Sequence, residues 1–353
     1  MTQLINVGLL GFGMAGRIFH APFIANVPGL KLTKIKANRE ESIALAKQRF
    51  PEAEVVPQEQ DIFGDASINL VVVATGNATH FALAKAALQA GKHVLVDKPF
   101  TITSAEAEEL IALAQEKQKL LTVFQNRRWD SDFKTVQKVL QNQLLGNLVE
   151  YEAHFDRFRN QIKPNTWKEE DLPGGGILYD LGSHLIDQAL YLFGEPEEVF
   201  ADVKVQRQKS KVPDYFEVVL QYKTLKAILK ASMLVRENGP HFLLHGTKGS
   251  FVKYGMDVQE EQLKLGNFPA NATDWGVEPE QNWGTINTDL QGLHFKGKIE
   301  SEAGDYTGLY ENVYKAILGQ EELVVKPEQA RNTIKVIELA MQSSWEKRSI
   351  KYS

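Results

Sequence analysis

The sequence predicts a two-domain chain: an N-terminal α/β domain on a doubly wound parallel sheet, then an α+β domain on a mostly antiparallel sheet. From residue 5 to about 125, apolar runs alternate with helical spacing, and the runs are continuous, as in strands buried on both faces. From 199 to 251 the pattern changes to long strands in which alternate residues are apolar. We place the domains at 1–123 and 124–353.

Five apolar runs of the first domain are predicted strands, each ending at a turn: Ile5–Leu10, 30–37, 69–74, His93–Val96 and 120–124. Helical spacing follows the second run at 42–50 and the third at 80–90, where Gly91 suits the position after a helix end. Ser104 is expected to cap a further helix that runs to about 117.

The second domain is predicted to contain helices as well as alternating strands. Helical spacing occurs at 133–143 and Ser183–Phe193, and the clearest strands are 216–222 and 227–233. Residues 255–304 are rich in Gly, Asn and Trp and lack periodicity, so long loops are expected there. Helices at 306–318 and 327–345 close the chain.

Composition excludes several classes of function. The 353 residues carry a net charge of -5, which argues against nucleic acid, because phosphate binding needs clustered Lys and Arg. The absence of cysteine excludes disulfides and Cys-ligated zinc. The first ten residues lack the pattern of a signal peptide, and no run reaches the ~18–20 apolar residues of a membrane span. We therefore expect a cytoplasmic protein.

A glycine-rich turn follows the first strand and opens a helix. Its glycines fit G-x-G-x-x-G, in which the first permits a tight turn, the second lets the backbone approach a diphosphate, and the third lets helix and strand pack. The free amides and positive dipole of the helix N-terminus then favour the phosphates. An ordinary turn is the alternative, but the βαβ context favours dinucleotide binding. The predicted contacts are Gly11, Phe12, Gly13, Met14, Ala15 and Gly16.

The end of the second strand decides between the two nicotinamide dinucleotides. A carboxylate is expected there for the 2′-hydroxyl of NAD, but Asn38 and Arg39 stand in its place. Arg39 can pair with a 2′-phosphate, so NADP(H) is favoured. Glu40 and Glu41 lie close enough to leave NAD(H) possible, and Arg39 can also be read as a solvated surface residue.

Two further segments are expected at the cofactor. Thr75, Asn77 and His80 lie where the third strand leads into a helix, at the strand ends where such folds bind ligands. Alternatively, Asn77 or Thr79 only caps that helix. Arg127, after the last strand, lines the cleft or forms a domain-interface salt bridge, and we favour the cleft.

Lys98 directly follows a buried strand, in the segment Asp97-Lys98-Pro99. A lysine at a strand end is usually exposed to solvent. Beside a nicotinamide, its ammonium group would hold a substrate oxygen and favour loss of the hydroxyl proton. The Lys98–Pro99 bond is a candidate for the cis form.

A second catalytic candidate follows three glycines, 174–176. Asp180 and His184 are four residues apart, so a helical turn puts them on one face, where the carboxylate can orient the imidazole for proton transfer. Asp187 is a candidate support for His184. The alternative is a helix-capping Asp and a core histidine. No metal site is expected, since two carboxylates and one His form a thin ligand set.

These motifs together resemble the Gfo/Idh/MocA oxidoreductases, over essentially the whole chain. Lys98 matches the lysine of the family's E-K-P motif, with Asp97 where Glu is usual, and Asp180 and His184 match its D-x-x-x-H pair. The resemblance implies a Rossmann domain, a second domain with a large open sheet, and homodimers or homotetramers formed through that sheet. It also implies NAD or NADP and a sugar, inositol or polyol substrate. Residues 19–22 and 125–130 look like the NADP-dependent scyllo-inositol dehydrogenase branch.

The expected function is hydride transfer between NADP(H) and a CH–OH group, with substrate bound between the domains. His184 moves the hydroxyl proton, Lys98 stabilises the alkoxide, and Asp180 positions substrate and lysine. Two rivals are a nicotinamide-nucleotide-sensing regulator without catalysis and a scaffold that dimerises through its sheet. The predicted substrate contacts are Lys98, Arg157, Trp167, Tyr179, Asp180 and His184.

Overall fold

The computed structural model describes residues 3–162 and 169–353. They form two compact units. The first unit comprises Met1–Asn126, Glu260–Thr273 and Tyr306–Arg331, and the second comprises Arg127–Gln259, Asp274–Asp305 and Asn332–Ser353. Two later segments of the chain therefore pack with the first unit, which a single boundary in the sequence does not anticipate.

The strands in chain order are β1 Ile5–Leu10, β2 Leu30–Lys36, β3 Glu54–Val56, β4 Leu70–Val73, β5 His93–Val96, β6 Leu121–Val123, β7 Leu148–His154, β8 Glu198–Lys204, β9 Tyr215–Gln221, β10 Lys226–Ser232, β11 Phe242–Gly246, β12 Gly249–Lys253, β13 Gly284–Leu290, β14 Leu293–Ile299 and β15 Ile350–Lys351. The helices are α1 Ala21–Asn26, α2 Glu40–Arg49, α3 Gln60–Phe63, α4 His80–Gln89, α5 Ser104–Glu116, α6 Ser131–Gln141, α7 Ser183–Phe193, α8 Gln259–Leu265, α9 Thr307–Ile317 and α10 Pro327–Glu346.

The first unit contains a six-stranded sheet in the order β3-β2-β1-β4-β5-β6, and its strands pair in parallel. Every residue of β4 is buried, as its continuous Val-rich run predicts. The order reverses direction between β1 and β4, so the carboxyl ends of these strands form the switch point where doubly wound sheets bind ligands. The predicted doubly wound parallel sheet is confirmed.

The cap of α5 differs from the prediction. Thr103, not Ser104, occupies the N-cap: its hydroxyl accepts from the amide of Glu106, and the Glu106 carboxylate accepts from the amide of Thr103. This reciprocal pair is a capping box, which needs Glu or Gln three residues after the cap. Ser104 has Ala107 at that spacing, so the sequence does favour Thr103.

The second unit contains a nine-stranded open sheet in the order β14-β13-β12-β11-β7-β10-β9-β8-β15. Its pairs are antiparallel except for the parallel pair of β7 and β10. Alternate residues are buried in β9 and β10, so one face carries the core and the other is more exposed. The predicted α+β unit on a large, mostly antiparallel sheet is confirmed.

The expectation of long loops over 255–304 is wrong, because α8, β13 and β14 lie within this segment. β14 is exposed along most of its length, so it has no core face to impose an alternating pattern. Its hairpin with β13 turns through Gln291 and Gly292, which both have positive φ, as in a type I′ turn. Gln-Gly is not one of the usual sequence signals for that turn.

Among the helices within 3–162 and 169–353, none combines the length and apolarity that a membrane crossing requires. In the same residues, no group of three or more His, Asp or Glu side chains is arranged to hold a metal ion.

Candidate functional site

The turn after β1 has the shape that a diphosphate requires. Gly11 has φ +98°, and a Cβ added to it would lie 2.4 Å from the carbonyl oxygen of Ala74. A Cβ on Gly16 would lie 2.1 Å from the carbonyl oxygen of Gly11. A Cβ on Gly13 would meet nothing within 4 Å. Packing within the protein therefore explains two of the glycines, and the open space at Gly13 leaves room for a ligand at the backbone.

The residues between these glycines face in different directions. Phe12 is buried and packs edge-to-face on Phe50 at 6.0 Å, so only its main chain is available to a cofactor. Met14 is 52% exposed, and Ala15 is half-buried. The helix that follows includes a π-helical turn, Gly16–His20, before α1. Such turns recur at functional sites in other proteins.

Asn38 and Arg39 are both exposed after β2, and Arg39 is the N-cap residue of α2. When its amide is oriented by hydrogen bonding, Asn38 donates to the carbonyl oxygen of Pro57 at 2.9 Å. The Asn38 amide is thus partly engaged by the protein, and Arg39 is the better candidate for a 2′-phosphate. Glu40 and Glu41 lie in the first turn of α2.

The segment after β4 reaches the same strand ends as the glycine turn. Thr75 and Thr79 join their hydroxyls at 2.7 Å, and Thr79 donates to the carbonyl oxygen of Gly76 at 2.8 Å. Thr79 holds the N-cap position of α4, but this geometry uses its hydroxyl within the turn rather than on the helix amides. Asn77 is buried in the short 3₁₀ turn before α4.

His80 is buried and lies between two loops at the strand ends. Its Nδ1 is 2.8 Å from the carbonyl oxygen of Pro99, and its Nε2 is 3.3 Å from that of Thr75. Burial lowers the pKa of His80 below 6.5, so the ring is neutral at pH 7 and donates through Nδ1 over the shorter distance. Its ring nitrogens face protein carbonyls, which favours a structural role over direct cofactor contact.

Lys98 lies in a tight turn after β5, with a cis peptide bond to Pro99. Its amide donates to Oδ1 of Asp97 at 2.8 Å, and Lys98 is half-buried. Burial acts to raise the pKa of Asp97, but the contact with His20 and the charge of Lys98 outweigh this effect and lower it below 3.8. An ionised carboxylate that is 14% exposed therefore lies against the lysine turn.

In the second unit, Asp180 and His184 lie on one continuous helical segment. The π turn Leu178–Gly182 carries Tyr179 and Asp180, and α7 begins at Ser183. Asp180 is half-buried inside this turn and is not a helix N-cap, so the capping alternative is wrong. His184 is buried, with its ring stacked on Phe155 at 6.4 Å between centroids.

Phe155, which the sequence analysis did not single out, brings several predicted residues together. The guanidinium carbons of Arg127 and Arg157 lie 4.9 and 4.8 Å from its ring centroid, within the range of cation–π attraction. His184 stacks on the same ring. Phe155 directly follows β7 and continues its alternation of buried residues after Tyr151 and Ala153, which is a sequence signal for its burial.

Asp187 has a different role from the one predicted. Nε and Nη2 of Arg128 donate to its two carboxylate oxygens at 2.8 and 2.7 Å, and both side chains are buried. Gln188 donates to the carbonyl oxygen of Arg127 at 3.1 Å. Asp187 therefore fixes α7 to residues 127–128. Arg127 itself pairs with Asp130 at 3.0 Å, and all these groups belong to the second unit.

The three glycines before Asp180 serve backbone packing. A Cβ on Gly175 would lie 2.9 Å from the carbonyl oxygen of Leu172, and one on Gly176 would lie 2.9 Å from that of Pro213. Gly174 and Gly176 also have positive φ, which favours glycine. Of the remaining predicted substrate contacts, Tyr179 is half-buried, and Trp167 lies outside the described residues.

Two family models match the chain. The NAD-binding Rossmann-fold model of the Gfo/Idh/MocA oxidoreductases covers residues 5–125, and the C-terminal alpha/beta model of the same family covers 137–352. The chain is 40% identical over 350 residues to IolW of Bacillus subtilis (strain 168), named scyllo-inositol 2-dehydrogenase (NADP(+)). That match covers 99% of this chain and 96% of IolW.

Other relatives have a sequence identity close to that of IolW and also match over nearly their full length. YdgJ of Escherichia coli (strain K12), named an uncharacterized oxidoreductase, is 41% identical over 98% of this chain and 97% of its own. The structure of the oxidoreductase YvaA of Bacillus subtilis superposes with a TM-score of 0.95 at 39% identity, covering 99% of both chains. An oxidoreductase structure from Bacteroides fragilis gives 0.90 at 45% identity, covering 99% of this chain and 100% of its own.

Proposed function

Because the chain belongs to the Gfo/Idh/MocA family of oxidoreductases, we propose that it transfers hydride between NADP(H) and a hydroxyl-bearing carbon of a sugar, inositol or related polyol. The family, the Rossmann domain and the similarity to IolW, which is named a dehydrogenase, identify an NAD(P)-dependent dehydrogenase acting on CH–OH groups. The proposal adds the choice of cofactor and the class of substrate.

The observation that carries the choice of NADP(H) is the end of β2. Asn38 and Arg39 are exposed where a carboxylate would bind the 2′-hydroxyl of NAD. A carboxylate would repel a 2′-phosphate, whereas the Arg39 guanidinium attracts it and forms charge-assisted hydrogen bonds. IolW, at 40% identity, carries NADP(+) in its name, which supports the same choice.

The polyol class rests on the polar groups of the second unit. Arg127, Arg157 and His184 surround one aromatic ring, and Asp180 and Tyr179 lie one turn before His184. A cluster with several hydrogen-bonding groups suits a substrate that carries several hydroxyls. A substrate without them would leave buried polar groups of the protein without hydrogen bonds, which weakens binding. The likeness to an inositol dehydrogenase points to the same class.

Each residue then has a definite chemical role. When bound, the nicotinamide ring supplies the hydride donor or acceptor. The His184 imidazole takes the hydroxyl proton during oxidation and returns it during reduction, because its unperturbed pKa of ~6.5 suits both directions near neutrality. The Lys98 ammonium group stabilises the negative charge that develops on the substrate oxygen. The Asp180 carboxylate accepts hydrogen bonds from substrate hydroxyls and orients them.

The test is a set of parallel assays. Purified protein is mixed with each of a panel of inositols and aldoses, with NADP and NAD in separate wells, and near-ultraviolet absorbance reports reduction of the cofactor. We expect turnover with at least one polyol and a higher kcat/KM with NADP. Dinucleotide binding in a thermal-shift assay without turnover on any polyol would instead favour the nucleotide-sensing regulator. Binding of neither dinucleotide would favour the scaffold.

We also propose that the protein forms a homodimer or homotetramer through the exposed face of its nine-stranded sheet. On this face β7 places Glu152 between β10 and β11, and β8, β9, β10, β11 and β12 each place one apolar residue that alternates with the buried core positions. These residues are Phe200, Val219, Ile228, Leu243 and Val252. Apolar residues grouped in this way on the outer face of a sheet are typical of an interface between copies. In multi-angle light scattering, Ile228→Asp should shift the mass to that of a monomer, whereas Leu265→Asp, at the exposed last residue of α8, should not.

A further inference from the structure

A buried polar chain runs behind the Lys98 turn in the first unit. The Tyr310 hydroxyl, on α9, lies 2.6 Å from Nδ1 of His20, and both side chains are fully buried. Nε2 of His20 lies 3.7 Å from Oδ2 of Asp97, within ion-pair distance but beyond a hydrogen bond. Oδ1 of Asp97 accepts from the Lys98 amide at 2.8 Å. Three side chains thus connect α9 to the lysine turn.

The protonation state of Tyr310 determines which group donates in its contact with His20. Burial, together with the Asp97 charge, raises the pKa of Tyr310 well above 10, so its hydroxyl stays protonated. We take the Tyr310 hydroxyl as the donor to Nδ1 of His20, which places the ring proton on Nε2. That N–H then lies on the side of the ring that faces Oδ2 of Asp97, where it favours the ionised carboxylate.

Packing holds His20 in this orientation. Its ring lies against Phe124, with centroids 4.3 Å apart, and His20 is the last residue of the π turn that begins at Gly16. The same short turn therefore contains the third glycine of the dinucleotide motif and the histidine that faces Asp97. On the opposite side of the lysine turn, His80 holds the carbonyl oxygen of Pro99.

We propose that His20, oriented by Tyr310, is a positioning residue that holds Asp97 as an ionised, correctly placed carboxylate beneath Lys98, and so keeps the Lys98 ammonium group charged for its work on the substrate oxygen. His20 touches neither substrate nor cofactor in this role; it acts through Asp97. The charged or titratable groups that face Asp97 are His20, His80 and Lys98, with Tyr310 behind His20. Its catalytic consequence rests on the proposed function.

The electrostatic reasoning predicts the direction of the change. Burial disfavours a carboxylate, and in this protein the neighbouring groups reverse that effect for Asp97. Removing the His20 ring takes away one of the groups that hold the Asp97 carboxylate in place beside Lys98. A carboxylate that is held less firmly lies farther from Lys98 on average and attracts its ammonium group less, so Lys98 becomes nucleophilic at a lower pH than in the wild type.

The first experiment uses the cofactor-free protein. Competitive acetylation with acetic anhydride at a series of pH values, read by mass spectrometry of the Lys98 peptide, gives the pH of half-maximal reactivity. We expect His20→Phe to lower this pH by about one unit. Tyr310→Phe, which deletes one oxygen, should lower it by less. Tyr314→Phe removes a hydroxyl one turn further along α9, which donates to the Gln3 carbonyl, and should leave it unchanged.

The second experiment measures steady-state rates. With the polyol found active, His20→Phe and Tyr310→Phe should lower kcat and shift the pH profile, while the KM for NADP stays near the wild-type value. A structural defect alone would lower the amount of folded enzyme without moving the profile. If His20→Phe fails to fold, Tyr310→Phe and the ¹⁵N chemical shifts of the His20 ring, which report its tautomer, carry the test.

The two proposals fail in distinguishable ways. If Lys98 reactivity shifts as expected but no polyol is turned over, the positioning role stands and the proposed substrate class fails. If the wild type turns over a polyol and neither variant moves Lys98 reactivity or the pH profile, the inference about His20 is overturned. A His20 ring with its proton on Nδ1 would also overturn it.

Discussion

Gly16 approaches Gly11 so closely that a Cβ on Gly16 would lie 2.1 Å from the Gly11 carbonyl oxygen, whereas one on Gly13 would meet no protein atom within 4 Å. Substitutions at these two glycines therefore distinguish a requirement of the fold from a requirement of ligand binding. We expect Gly16→Ala to lower the melting temperature and abolish dinucleotide binding. Gly13→Ala should leave the melting temperature near that of the wild type but raise the Kd for the dinucleotide, measured by calorimetry. Unchanged binding in Gly13→Ala would place the diphosphate elsewhere.

Arg39 provides a direct test of the cofactor choice. Arg39→Ala removes the guanidinium proposed for the 2′-phosphate, and a charge-assisted contact contributes about 1.5–3 kcal/mol, or roughly 10- to 100-fold in binding. The KM for NADP should rise by about that factor, while the KM for NAD should change little. Arg49→Ala, at the far end of α2, is the control. An equal rise for both cofactors would count against a 2′-phosphate contact.

The Arg128–Asp187 pair is expected to be the strongest stability determinant among the ion pairs around α7. Both side chains are buried, so Asp187→Asn removes the bidentate carboxylate partner of a buried guanidinium, and breaking a buried pair in this way costs about 3–5 kcal/mol. Urea denaturation should show a large drop in the free energy of unfolding. Glu322→Gln breaks the exposed Lys326–Glu322 pair and should leave it within error of the wild type. Equal effects from the two variants would contradict the account.

Asp132 predicts a pH dependence of stability. Burial, and next the charge of Asp257, raise the pKa of the Asp132 carboxyl from 3.8 to about 7. Between these values the folded protein holds a proton that the unfolded chain has released, so this group's contribution to the free energy of unfolding falls as pH rises from about 4 to about 7. Asp132→Asn should flatten that decline in urea titrations, and Glu311→Gln, on the exposed side of α9, should not. Parallel declines in Asp132→Asn and the wild type would rule this out.

Much of the fold could be predicted because burial imposes periodicity. β4 is buried on both faces and shows an unbroken Val run, and β9 and β10 are buried on one face and alternate. The β13–β14 hairpin could not be predicted in this way. β14 is exposed along most of its length, so its sequence need not alternate between apolar and polar residues. The packing of Tyr306–Arg331 with the first unit is a tertiary choice that no local pattern encodes.

Site residues could be predicted where the backbone geometry of a motif requires a particular residue type. They were harder to predict where contacts join segments that are distant in the sequence. Gly11 and Gly16 are glycines because carbonyl oxygens lie against them. The partnership of His20 with Tyr310 spans 290 residues, and Arg128 reaches Asp187 across 59. Such pairs have no spacing rule, so the sequence pattern points Asp187 toward His184 rather than Arg128 and does not indicate the contacts of Phe155.

The most direct test of the proposed chemistry is the turnover of His184→Ala with NADP and the best polyol of the panel. If the imidazole moves the hydroxyl proton, kcat should fall by ~10²–10⁴ while the Kd for NADP stays unchanged, and the exposed His294→Ala control should keep wild-type turnover. A His184→Ala enzyme with the wild-type kcat would contradict the account.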